Sequence, residues 1–109
     1  MVKLQDKLIY DTLKLVAAQG EEGLLCRNKQ SDAEFMRPVN EFAAASGRNY
    51  TSIKSTLDII HKNCGYLERE SIKDTSFDAG KASKIFIYRL CDKGRSFIEK
   101  YEATQNSAQ

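Results

Sequence analysis

The residues best suited to catalysis or metal binding in this sequence are one histidine and three cysteines. His61 and Cys64 are three positions apart, so on a helix both side chains could reach one metal ion. Two further ligands would have to come from Cys26, from Cys91 or from carboxylates far away in the sequence. Cys64 also continues an apolar helical stripe, where a thiol behaves as a small hydrophobic group. We therefore predict no metal site, no cofactor and no catalytic residue.

Other catalytic patterns are also missing from the sequence. The six glycines stand apart from one another, so no glycine-rich phosphate loop is indicated. The paired carboxylates, such as Glu21 with Glu22, are typical of a solvated surface. An enzyme is therefore not expected. A small enzyme or a thiol-based sensor remains the third hypothesis, which thiol titration and a metal assay would test.

The length and composition favour one compact domain with modest positive charge. The chain has 109 residues, of which 41% are hydrophobic and 29% are charged. We predict a single domain over residues 1–103 and a disordered polar tail over residues 104–109. No apolar run is long enough to cross a bilayer, so no membrane partner is expected. Without an apolar leader or a CxxC pair, the thiols are expected to be reduced in the cytoplasm.

The apolar spacing predicts an order of helix, short strand, two helices, hairpin and a last helix. A first helix over residues 4–19 is indicated by Ile9, Leu13 and Val16 at helical spacing. Residues 24–26 could form a short strand, and Ser31 with Glu34 resembles a capping box that starts a brief helical turn. The remaining elements are a helix opening at residues 37–38, a helix over 49–64, a hairpin over 66–90 and a helix from 92.

The segment 42–53 has the pattern of two helices joined by a sharp turn. Ala43 is small enough for the helices to cross closely, Gly47 makes the turn, and Ile53 packs the second helix on the first. This unit resembles a helix-turn-helix. With residues 65–69, the hairpin and residues 88–94, the chain resembles the winged helix-turn-helix family, most closely the small MarR-type, PadR-type and archaeal regulators.

The resemblance covers residues 35–101 and implies a mainly helical α+β fold. The expected architecture is a three-helix core with a β-hairpin wing and a C-terminal helix. The sequence departs from the family in four places. Ser46 and Arg48 stand beside the turn glycine at positions that are usually apolar, and the segment 20–34 is long. The third helix is one residue longer than usual before Gly65, and Cys91 stands where a threonine is usual.

The resemblance also implies sequence-specific binding to double-stranded DNA by a transcription regulator. The recognition helix, residues 49–64, is expected in the major groove, and the wing, residues 66–90, on the backbone or minor groove. If Ile53, Leu57 and Ile60 face the core, the opposite side of the helix carries small polar and basic residues. The expected DNA-binding residues are Arg48, Asn49, Tyr50, Thr51, Ser52, Lys54, Ser55, Lys62, Lys81 and Lys84. Replacing Lys54 or Lys84 by alanine should therefore weaken DNA binding with little loss of stability.

The small net charge of +2 suggests that one domain neutralises few phosphates. Dimerisation would double the binding site and match a palindromic operator. Both ends of the sequence contain more apolar residues than one hydrophobic core needs. In regulators of this family the terminal helices commonly form the subunit contact. We therefore predict a homodimer, with interface residues Leu4, Leu8, Leu15, Phe97 and Tyr101, located in the cytoplasm at the nucleoid.

An alternative of a different class is a winged-helix protein–protein interaction module, because a fold does not fix a function. The weak basic charge keeps this alternative open. A DNA shift assay at two salt concentrations separates the two hypotheses, since phosphate binding weakens steeply with salt.

Overall fold

The computed structural model describes residues 5–75 and 83–107, which form a mainly helical α+β fold. The described residues contain four α-helices and three antiparallel strands. The helices are α1 (Asp6–Ala17), α2 (Arg37–Ser46), α3 (Tyr50–Ile59) and α4 (Asp92–Ser107). The strands are β1 (Leu24–Arg27), β2 (Leu67–Lys73) and β3 (Lys84–Leu90). The predicted order of elements is confirmed, including the short strand.

The core lies between α1, α2, α3 and one face of the sheet. Ile9, Leu13 and Val16 of α1 are buried, as their spacing predicts. Leu57 and Ile60 are fully buried behind α3. The apolar stripes therefore set the orientation of α3, and its opposite side is left toward solvent.

The turn between α2 and α3 forms as the sequence predicts. Pro38 lies in the first turn of α2, where its missing N–H needs no partner. Gly47 ends α2 with φ at 70°, a left-handed conformation that glycine adopts without steric cost. The Asn49 side chain accepts a 2.8 Å hydrogen bond from the backbone N–H of Ser52 and so caps α3.

The helical path continues past α3 in a π-helical turn, Ile60–Cys64. The N–H of Gly65 donates to the carbonyl of Ile60 over 3.0 Å, which is an i to i+5 hydrogen bond. A π turn holds one more residue than an α turn. It therefore accommodates the extra residue found before Gly65.

The sheet has the strand order β1-β3-β2, with both pairs antiparallel. Leu67 lies opposite Leu90, and Lys73 lies opposite Lys84. Since cross-strand partners point to the same face, this register decides which side chains of the hairpin face α3.

Helix α4 packs against α1 through aromatic side chains. Tyr10 stacks on Tyr101 with ring centroids 4.4 Å apart, and Phe97 packs on Tyr66 at 5.0 Å. At Gly94 there is no room for a side chain, because an added Cβ would overlap the carbonyl of Tyr66. This close approach explains the glycine at the start of α4.

Helix α4 ends at Ser107 and so includes residues 104–107 of the segment 104–109 that was predicted as a disordered tail. One local prediction is wrong. Ser31 does not form the expected capping box, because the short 3-10 turn Glu34–Met36 follows Ala33 and has no side-chain cap. The hydroxyl of Ser31 instead accepts a hydrogen bond from Arg27.

Candidate nucleic-acid interface

The solvent side of α3 and the following π turn is polar. Thr51, Ser55, Lys62 and Asn63 are exposed, and we call these four residues the α3 face. Ser52 is half-buried beside them. The face carries no carboxylate, so its single charge is that of Lys62. Short hydroxyl side chains and one cation are suited to contacts with base edges and phosphates.

Tyr50 does not belong to this face, which corrects the prediction. Its side chain is only 6% exposed and lies in the core. Its hydroxyl donates a hydrogen bond to the backbone carbonyl of Arg27, at the end of β1. Tyr50 therefore ties the start of α3 to the sheet and is not available to a groove.

Lys54, which was predicted to contact DNA, is held within the protein by three neighbouring side chains. Its side chain is 11% exposed and forms a 3.2 Å ion pair with Asp58. Its ammonium group donates to the hydroxyl of Tyr88 over 2.8 Å and lies 4.4 Å from the centre of the Phe86 ring. Arg69 of β2 completes the group with a 3.1 Å ion pair to Asp58. We call Lys54, Asp58, Arg69 and Tyr88 the helix–wing network.

The helix–wing network stabilises the charged form of its carboxylate. Burial disfavours the charged form of Asp58, but hydrogen bonds from Tyr88, Lys54 and Arg69 and the charge of Lys54 outweigh it. The pKa of Asp58 is therefore lowered. The pKa of Tyr88 is raised, first by burial and then by its hydrogen bond to Asp58. The network fixes the hairpin against α3, and its one carboxylate balances one of its two positive charges.

Arg48 and Asn49 hold the turn together. The Nη2 atom of Arg48 donates to the hydroxyls of Ser52 and Thr56 over 2.6 and 2.8 Å. Its Nη1 atom is buried and makes no hydrogen bond within residues 5–75 and 83–107. The Asn49 oxygen is occupied by the helix cap. Both residues border the α3 face, but their side chains serve the turn rather than project from it.

A second cationic surface lies on the hairpin and was only partly predicted. Lys73 of β2 and Lys84 of β3 are cross-strand partners, and both side chains are exposed. Neither forms an ion pair in the part of the chain that the structure describes. Arg69 and Ser71 share their side of β2, and Arg69 contacts Asp58 of α3. This side therefore faces α3, and we call Ser71, Lys73, Lys84 and the half-buried Phe86 the wing face.

Sequence reasoning found Lys84 but missed Lys73. The sequence could have indicated Lys73, because the two lysines lie on either side of the hairpin loop and a simple strand register pairs them. Lys81, the other predicted wing residue, lies outside the described residues.

The predicted dimer residues are mostly used within the monomer. Phe97 and Leu15 pack against the core, and Tyr101 stacks on Tyr10. Leu8 is half-buried, and Leu4 lies outside the described residues. Among the described residues, Ile72 is the only large hydrophobic side chain that is exposed. Leu15, Phe97 and Tyr101 are thus engaged by contacts within the chain.

The cysteines do not assemble into a reactive or metal-binding group. Burial raises the pKa of the Cys26 thiol to about 12. Burial also raises the pKa of the Cys64 thiol. No cluster of three or more metal-ligating side chains occurs within residues 5–75 and 83–107. Over the same residues, no helix combines the length and apolar character needed to span a membrane.

Comparison with known proteins gives no relative. No family model, no curated protein and no solved structure matches the chain.

Proposed function

We propose that this chain is a winged helix-turn-helix protein that binds double-stranded DNA. In this proposal the α3 face enters the major groove, and the wing face contacts the phosphate backbone. The order of elements, the turn at Gly47 and the sheet order β1-β3-β2 support the winged-helix assignment. The exposure of Thr51 and Ser55 also supports the proposal, because short hydroxyl side chains can approach base edges.

The observation that carries the proposal is the cross-strand pair of Lys73 and Lys84. Like charges directly opposite each other destabilise a sheet. Ion pairs engage other cations of the hairpin, since Arg69 pairs with Asp58, a carboxylate that it shares with Lys54, and Arg89 pairs with Glu70. Within residues 5–75 and 83–107 no carboxylate pairs with these two exposed lysines, which lie on the side that faces α3. We infer that their partner is an anion such as a phosphate backbone.

The proposal is tested by fluorescence anisotropy with a labelled mixed-sequence duplex at several salt concentrations. Lys62, Lys73 and Lys84 give about three phosphate contacts per chain, and each contributes about 0.9 to the salt slope. Binding should therefore weaken about 40-fold between about 50 and 200 mM salt. Absence of binding at the lowest salt, or binding that salt does not weaken, would reject the proposal.

The second candidate is a protein–protein interaction module. The internal use of Lys54 and Arg69 by Asp58 favours it, because it removes positive charge from the surface that DNA would meet. Such a module would bind its partner without a steep salt dependence and would leave the duplex unbound in the same assay.

Homodimerisation remains a prediction that rests on Leu4 and Leu8. Sedimentation velocity at micromolar concentration tests it. A single species of 12.3 kDa would reject a stable dimer.

A further inference from the structure

We propose that a cavity beside the wing binds a phosphate group, as a site separate from the α3 face. The cavity has a volume of about 480 Å³ and lies between the segment after β1 and the start of β3. That volume falls within the range of small-molecule sites. The lining residues are Arg27, Asn28, Lys29, Gln30, Ser31, Ser83 and Lys84. We call this space the loop cavity.

The lining of the loop cavity is cationic and rich in hydrogen-bond donors. Lys29 and Lys84 are exposed, and within the described residues neither makes an ion pair or a hydrogen bond through its ammonium group. Arg27 is neutralised by Asp74, which is fully buried beneath it at 2.7 Å. None of these seven described lining residues carries a carboxylate. The lining's net charge of about two thus comes from the lysines and attracts a phosphate group, whether a dianionic monoester or a singly charged diester.

Two acidic residues that follow the segment 27–31 in the sequence are not part of this lining. Asp32 and Glu34 line a different surface cavity, beside the start of α2. They follow directly after the segment 27–31, but they do not share the walls of the loop cavity.

The segment that forms one wall is held in place before any ligand binds. The Ser31 hydroxyl accepts a 3.0 Å hydrogen bond from Arg27, and the Ser31 carbonyl accepts a 2.8 Å hydrogen bond from the Asn40 amide. The Tyr50 hydroxyl donates to the Arg27 carbonyl. These contacts fix the segment to β1, α2 and α3, so little further ordering is needed on binding.

The chemistry that recognises the ligand is that of a phosphate monoester or diester. A free phosphorylated small molecule and the nucleic-acid backbone both carry this group. Lys84 belongs both to the loop cavity and to the wing face, so the two sources are expected to compete where DNA also binds.

The experiment is a titration of the ¹⁵N-labelled full chain with inorganic pyrophosphate, followed by two-dimensional NMR. We expect saturable shifts of the backbone amides of residues 28–31 and 84. The variant Lys29→Gln with Lys84→Gln should weaken binding by about fivefold for each lysine removed. Lys100→Gln on α4 removes the same charge outside the cavity and should leave the affinity unchanged. Because all three lysines are exposed, each variant should keep the spectrum of the folded protein.

Two results would overturn the proposal. One is the absence of saturable shifts at residues 28–31 in the unmodified protein. The other is an equal loss of affinity in the Lys100→Gln control.

A second arm identifies the source of the phosphate and separates this proposal from DNA binding. If a duplex shifts the same amides and displaces pyrophosphate, the cavity binds the backbone. If pyrophosphate binds and the duplex does not displace it, the cavity takes a free phosphorylated ligand. Either result supports the site, and the second does so even when the chain fails to bind DNA at all.

Discussion

Removing the charge of Lys73 and Lys84 is expected to change DNA affinity and folding stability in opposite directions. Each lysine is assigned one phosphate contact, worth about 0.9 in the salt slope. At about 0.1 M salt this corresponds to about an eightfold loss of affinity for Lys84→Gln and about 60-fold for the double variant. The salt slope should fall from about 2.7 to about 0.9 in the double variant.

The same substitutions are expected to stabilise the free protein slightly. The lysines are direct cross-strand partners without an ion pair in the described residues, so replacing one of them removes a like-charge repulsion. Cross-strand interactions of this kind change the free energy of unfolding by about 0.2–1 kcal/mol. Urea unfolding of each variant therefore should show an unchanged or higher free energy of unfolding.

The assay is anisotropy with a labelled duplex across a salt series, with Lys100→Gln as the matched control. This variant removes an exposed lysine of α4, away from the hairpin. Equal losses of affinity in Lys84→Gln and Lys100→Gln would refute the reasoning, because binding would then depend on net charge alone. A loss of stability in the Lys73→Gln variant would also contradict the assigned register.

Three further changes test the structure around the site. Lys54→Ala leaves Asp58 without its 3.2 Å partner and should lower the free energy of unfolding by about 1–3 kcal/mol in urea titrations, whereas an unchanged value would place Lys54 in solvent. Gly94→Ala introduces a Cβ that overlaps the Tyr66 carbonyl, and a loss of about 1–3 kcal/mol is expected on thermal unfolding; full stability would contradict the close crossing. The folded-state pKa of Asp58 is lowered, so its contribution is present above the unfolded pKa of about 3.9 and is lost as pH falls through the folded value. Acid unfolding of Asp58→Asn should therefore show a weaker dependence on pH below about 4 than the unmodified protein, and identical profiles would count against the network.

The local elements could be predicted because their signals are close together in the sequence. Apolar residues at helical spacing predicted the buried side of α3, and Ile53, Leu57 and Ile60 are all fully buried. Glycine and asparagine at the turn predicted where α2 ends and α3 begins. These features depend on backbone conformations and side-chain types that act over a few residues.

The availability of the charged residues could not be predicted, because it depends on contacts between distant segments. Lys54 is on the polar side of an ideal helix, yet Tyr88 and Phe86 of β3 lie close enough to bind it. Asp58 likewise forms an ion pair with Arg69 of β2, a contact that the sequence does not show. The pairing of Lys73 with Lys84 similarly required the register of the hairpin. A count of basic residues in the sequence therefore overestimates the number of cationic side chains that are free to contact a partner.

The dimer prediction depended on a similar count of apolar residues. Leu15, Phe97 and Tyr101 looked like surplus surface because the sequence does not show that α4 folds back on α1. Tyr101 stacks on Tyr10, Phe97 packs on Tyr66, and Leu15 packs against the core, so all three have partners within one chain.

The central claim is that the α3 face and the wing face together bind a duplex. It is tested most directly by two-dimensional NMR of the ¹⁵N-labelled chain during titration with a mixed-sequence duplex. The account predicts shifts at Thr51, Ser55, Lys62, Lys73 and Lys84, with little change at the exposed residues of α4. A titration without shifts, or with shifts confined to α1 and α4, would contradict it.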